Sequence, residues 1–250
     1  MDFSILGTWD GIVYFLILSL LEIVLGIDNI IFISIITDKL PDIERRKARN
    51  IGLSLALIVR LLLLTVVSWL MTLTEPLFEV FGKVMTGQGL VLLAGGLFLI
   101  YKSTKEIHSS VQGDHEEGKT KVKPKLSAVI TQIVLVDIVF SFDSVISAIG
   151  MTNDLAKETG HDPMIIIYAA VIVSMIVMML FAKQISDFIN ERPTIKMLAL
   201  SFLVAIGVIL VAEAFGEHIP KGYIYFAFVY ALVVEFLNIR MRANKDKKTD

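Results

Sequence analysis

Two stretches of the chain are long apolar runs with acids inside them, and they match. Residues 18–34 read LSLLEIVLGIDNIIFIS and residues 133–149 read IVLVDIVFSFDSVISAI. At an offset of 115, Glu22 falls on Asp137, Asp28 on Asp143 and Asn29 on Ser144. An acid at the centre of a membrane helix costs about 2.5–3.5 kcal/mol to insert, and each apolar neighbour offsets about 0.3–0.6 kcal/mol. Acids placed there face a bundle interior or a wet cavity, and they mark ion or proton paths. Internal ion pairing would be the plainer explanation, but it needs bases. Arg60 is the one base within an apolar span, and one Arg cannot neutralise four acids.

Spacing constrains the acids further. Glu22 and Asn29 are seven apart and share a helix face, as do Asp137 and Ser144. Glu22 and Asp28 are six apart, about 9 Å of rise and roughly 120° off that face. Ligands of one small divalent ion lie about 2.0–2.6 Å from it. Either the helix opens, near Gly26 and near Phe140-Ser141, or the acids serve successive positions along a path. Broken helices around a cation are a known transporter device.

The remaining spans follow from hydropathy. The chain is 55% hydrophobic, with a mean hydropathy of +0.74, which places it among polytopic membrane proteins. The apolar runs predict seven spans, at 11–36, 52–73, 87–101, 126–150, 164–182, 196–215 and 222–238. Trp9 is placed at an interface, and Gln132 is expected to bond between helices. No basic segment precedes the first run, so it reads as a retained span rather than a signal peptide.

Of the 23 basic residues, nineteen fall on one set of connections, three on the other, and Arg60 lies within a span. The positive-inside rule then puts the N-terminus outside and the C-terminus in the cytoplasm. Spans 1–3 and 4–6 form two units of three, and an odd number of crossings inverts the second. Residues 94–102, AGGLFLIYK, align with 205–213, AIGVILVAE, setting Lys102 against Glu213. The expected fold is all-α. It has a first repeat over 1–101, a polar cytoplasmic loop over 102–125, an inverted repeat over 126–216, and a seventh helix with a basic tail over 217–250. Inverted repeats place substrate near the midplane.

Candidate ligands are Glu22, Asp28, Asn29, Asp137, Ser141, Asp143 and Ser144, all oxygen donors. None of His108, His115, His161 and His218 lies within a span. Oxygen-only sets suit Mg²⁺, Ca²⁺ and Mn²⁺ rather than Zn²⁺, Cu⁺ or Ni²⁺. Crowded carboxylates hold protons more readily, which allows proton exchange against the metal. Arg60 is expected to pair with a site acid or a carbonyl. Arg60 and Glu213 are the accessory candidates. The stretch with His108, Asp114, His115, Glu116 and Glu117 reads as a solvated loop.

Several functions are excluded or disfavoured. A net charge of −2 gives no footprint for nucleic acid. The absence of Cys removes disulfides, thiolate metal sites and iron–sulfur clusters. No Gly-x-x-x-x-Gly-Lys-Ser/Thr loop is present for nucleotide use. An intramembrane enzyme would need a nucleophile, and none stands beside the acids. No cofactor is expected; the partners are the bilayer and a divalent cation.

The run Glu22-Ile-Val-Leu-Gly-Ile-Asp28-Asn29, followed by Lys39-Leu-Pro, closely resembles the TerC family of integral membrane proteins. Asp137-Ile-Val-Phe-Ser-Phe-Asp143-Ser144 looks like that family's second motif, and residues 95–108 resemble its third-helix signature. The resemblance covers about 10–240, and the chain is expected to be a short, membrane-only member. It implies seven spans and manganese export, with a historical link to tellurite resistance. Carried over residue by residue, it rests on Glu22, Asp28, Asn29, Asp137, Asp143 and Ser144. An acid-lined site repels tellurite, an oxyanion, so any such effect is expected to be indirect. The alternative it implies is a membrane scaffold assisting insertion or assembly of other proteins.

Overall fold

Long apolar stretches must satisfy their backbone internally in lipid, and helices do so. In the computed structural model the chain forms seven helices among the described residues, which are 5, 7–66, 76–80, 82–112, 124–159, 163–217 and 219–246. For Val80, Asp143, 153–159 and 243–246 only the backbone is described. The helices are α1 (Trp9–Thr37), α2 (Asp42–Thr65), α3 (Gly87–Gln112), α4 (Leu126–Thr159), α5 (Met164–Asn190), α6 (Pro193–Ala214) and α7 (Gly222–Asp246). All but α3 are long and apolar enough to cross a membrane. In α3 the polar half from Lys102 onward shortens the apolar stretch. The all-α polytopic class is as expected.

Helix ends run past the expected spans. The basic segment at 42–51 was expected as loop, yet it forms the first turns of α2. Asp42 and Glu44 sit in that first turn, where acids complement the helix dipole. Arg45 ties it back, lying 3.4 Å from both Asp38 and Asp42. Residues 102–112, expected in the polar loop, continue α3, and 151–159 continue α4. Hydropathy marks where the lipid ends, whereas helices continue while helix-forming residues last. At 1.5 Å per residue, the 29 residues of α1 extend about 43 Å, beyond a hydrocarbon core of about 30 Å. A short antiparallel hairpin, β1 (Pro76–Val80) and β2 (Lys83–Thr86), was also not expected. Its turn passes through Gly82 at φ 74°, a conformation open to glycine.

The chain divides into two compact units, each drawing on both halves of the sequence. The first comprises 1–75 and 121–187, hence α1, α2, α4 and most of α5. Within it α4 packs against both α1 and α2. The second half of α1, from Asp28 to Thr37, is buried all round, as expected for a helix apolar on every face. Thr8 caps α1, accepting from the Gly11 amide at 3.1 Å.

The second unit comprises 76–120 and 188–250. Here α3 lies along α6, and the crossing is built on Gly96 and Gly207. A Cβ on Gly96 would come 2.7 Å from the Gly207 carbonyl oxygen, and one on Gly207 would come 2.9 Å from the Gly96 oxygen. The two glycines occupy matching places in the aligned third helices, so the close approach is reciprocal. Close backbone contact of this kind drives helix association in lipid. Helix α7 joins through Phe202 of α6, whose ring stacks on Phe228 at 4.2 Å. Tyr223, Phe226, Tyr230 and Phe236 of α7 stay exposed, an apolar surface suited to lipid.

A candidate buried cation site

The first unit holds the acids. Glu22, Asp28 and Asn29 come from α1, Arg60 from α2, and Asp137, Ser141 and Ser144 from α4; all are buried. The guanidinium of Arg60 joins the two halves. Its Nη1 donates to Glu22 Oε2 at 2.6 Å, its Nη2 to Asp137 Oδ1 at 3.0 Å, and its Nε to Ser141 Oγ at 3.0 Å. Asn29 Nδ2 also donates to Asp137 Oδ1, at 2.9 Å. The Ser141 hydroxyl donates to Asp137 Oδ2 at 3.1 Å. Arg60 is only 2% exposed, so all this charge is out of water.

A local two-fold relation runs through the cluster. Asn29 bonds Asp137, and Ser144, the counterpart of Asn29, stands close enough to Glu22, the counterpart of Asp137, to interact with it. Matching residues thus swap partners across α1 and α4. Arg60 breaks the relation. Ser141 of α4 accepts from Arg60 of α2, whereas its counterpart Gly26 of α1 faces Met178 of α5. A Cβ on Gly26 would fall 2.0 Å from the Met178 sulfur.

The helices stay unbroken past Gly26 and past Phe140-Ser141. The helix therefore does not open to bring the two acids together: Glu22 and Asp28 sit at successive levels, about 9 Å apart along α1. Among the described residues, no three of the His, Asp and Glu side chains converge into a set that could hold a metal. The side chain of Asp143 lies outside the described residues, as do His115, His161 and His218 with Asp114, Glu116 and Glu117. Asn29 Oδ1 is buried with no hydrogen-bond partner among the described residues, which leaves one oxygen donor spare beside Asp137.

The expected pairing of Arg60 was right in kind and too small in extent, since the guanidinium takes both matching acids. Glu213 belongs to the second unit, where its carboxylate is 3.6 Å from Lys221 Nζ. Gln132, expected to bond between helices, donates to Ala128 O within its own helix. The exposed His108 lies on α3. Sequence reasoning missed Arg49, buried near Asp187, because its segment was read as loop. Gly26 was read as a possible helix break, whereas its contact is with Met178, 152 positions away.

Comparison with known proteins agrees with the motifs. The model of the family described as "Integral membrane protein TerC family" matches residues 7–250. The chain is 49% identical over 222 residues to the UPF0053 inner membrane protein YgdQ of Escherichia coli K12, covering 89% of this chain and 90% of that one. It is 50% identical over 226 residues to a UPF0053 protein of Haemophilus influenzae, covering 90% and 92% respectively. It is also 48% identical over 245 residues to YoaE of E. coli K12; that match takes in 98% of this chain but 44% of the longer relative. No solved structure matches the chain. The match across nearly the whole chain, together with the apolar helices, makes this a multi-pass membrane protein that belongs to the TerC family of integral membrane proteins.

Proposed function

We propose that this protein carries a divalent cation out of the cytoplasm, Mn²⁺ ahead of Ca²⁺ and Mg²⁺, through the oxygen-lined cluster on α1 and α4. One observation carries the reading: acids at matching positions of the two halves meet around a single positive group. Two carboxylates, an amide oxygen and two hydroxyls in a dry interior form a hard donor set of the type that binds such ions. Asp28 and Asp143 stand one step further along their helices, as successive stations for the ion. The basic connections support an N-terminus outside, with spans 1 and 4 running in opposite senses through the membrane. Protons are the proposed counter-ions.

Flux into proteoliposomes of the purified protein tests this, with Mn²⁺, Ca²⁺, Mg²⁺ and Zn²⁺ side by side. Saturable Mn²⁺ flux is expected, abolished in Asp28→Ala and Asp143→Ala proteins that remain folded, and responsive to an imposed pH gradient. Folded protein that moves no divalent ion would end the proposal.

A second reading has its own support. Arg60 already partners Glu22 and Asp137, as a purely structural ion pair would, and a membrane scaffold needs no more of the cluster than that. A scaffold would tolerate Asp28→Ala and fail instead on changes to lipid-facing or loop residues.

A further inference from the structure

We infer that Arg60 is a tethered stand-in for the transported ion, holding the place between Glu22 and Asp137 that the ion takes by displacing it. The inference rests on the cation-carrier reading and concerns how that site is controlled.

Three observations support it. First, the guanidinium contacts both acids directly, at 2.6 and 3.0 Å, which is how a cation bridging the two halves would be held. Second, packing does not demand a base here. Where Ser141 meets Arg60, its counterpart Gly26 meets Met178, so the other half fills the corresponding place with an apolar side chain. Buried ion triads are often no more stable than well-packed apolar replacements. Third, among the described residues Asn29 Oδ1 has no hydrogen-bond partner, an acceptor in the same dry cluster.

The charge balance gives the device a purpose. With both acids ionised, Glu22 and Asp137 carry −2, and Arg60 reduces this to −1. Arg does not lose its proton in proteins, so the guanidinium can leave the acids only by moving, on a flexible three-carbon stem. A monovalent ion would replace one unit charge by another and strand the guanidinium. A divalent ion brings a second charge to compensate. Arg60 therefore selects for divalent ions, and its return to the acids expels the ion.

Binding of Mn²⁺ to the purified full-length protein, read from loss of the free-ion electron paramagnetic resonance signal, tests this. Arg60→Gln is expected to bind Mn²⁺ about tenfold more tightly than the wild type, a change of about 1.4 kcal/mol. Replacing choline by Na⁺ at constant ionic strength should then weaken Mn²⁺ binding in Arg60→Gln and leave the wild type unaffected. Adding Glu22→Gln to Arg60→Gln should cancel the gain. Arg60→Lys keeps a charge between the acids but holds one at a time. It gives a smaller gain and serves if Arg60→Gln does not fold. Folded variants binding no more tightly than a wild type that does bind would overturn the role of Arg60 alone. Absence of Mn²⁺ binding in the wild type and every variant would remove the carrier reading with it. A purely structural Arg60 predicts weaker binding in each variant.

Discussion

The two sides of the buried cluster share an ancestry of pattern and differ in chemistry. On one side α4 meets α2 through Ser141 and Arg60; on the other α1 meets α5 through Gly26 and Met178. The first contact is polar, directional and charged. The second is a thioether filling the space left by a missing side chain. A polarizable, unbranched Met fills irregular gaps without imposing geometry. A guanidinium fixes the planes and distances of every acceptor it touches. The comparison teaches that the duplicated acids are the shared part of the site and that the base is the specialised part.

The largest test of this contrast is Asp137→Ala. Asp137 accepts from Arg60, Asn29 and Ser141, so its loss breaks three buried hydrogen bonds and takes from Arg60 one of its two acids. Removing one partner of a buried pair costs about 3–5 kcal/mol, which unfolding in detergent would measure. The triple change Glu22→Gln, Arg60→Met, Asp137→Asn converts the charged side to the character of the other. It should recover most of that loss; a triple variant as unstable as Asp137→Ala would mean that the fold needs the charges.

Ser141→Ala comes next. It removes an acceptor from Arg60 Nε and a donor to Asp137 Oδ2, and about 1–2 kcal/mol is expected for leaving such groups unsatisfied. The smallest change is Gly26→Ala. The new methyl meets the flexible sulfur end of Met178, which can move, and alanine favours the helix by up to about 1 kcal/mol over glycine. A net effect within about 1 kcal/mol is expected in the same assay. A loss matching that of Asp137→Ala would show the Met side to be as rigid as the Arg side, and would break the comparison.

How much of this could be read beforehand depended on distance along the chain. Hydropathy gave the spans, and the matching of Glu22 with Asp137 gave the acids that meet. Arg60 stood out because a lone base inside an apolar run has few ways to be satisfied. The triad remained hidden because it requires α2 to lie against α4, a contact that no local pattern encodes. Gly26 was noticed as a possible break, whereas it serves instead as the seat of Met178 in an unbroken helix. The extended ends of α2, α3 and α4 escaped because membrane-span reasoning stops where polarity begins. The hairpin escaped because its strands are too short to show a period.

The interleaving of the two units has a consequence for biosynthesis. A chain emerges from its N-terminus first, and α3 must wait for α6, made about a hundred residues later, before Gly96 can meet Gly207. Glu22 has no such delay: α2 delivers Arg60 next, so the first helical hairpin already carries its own neutralising partner into the bilayer. Asp137 then arrives in α4 to find a guanidinium with a free arm. The base that sits between the acids in the finished protein is thus made after the first of them and before the second.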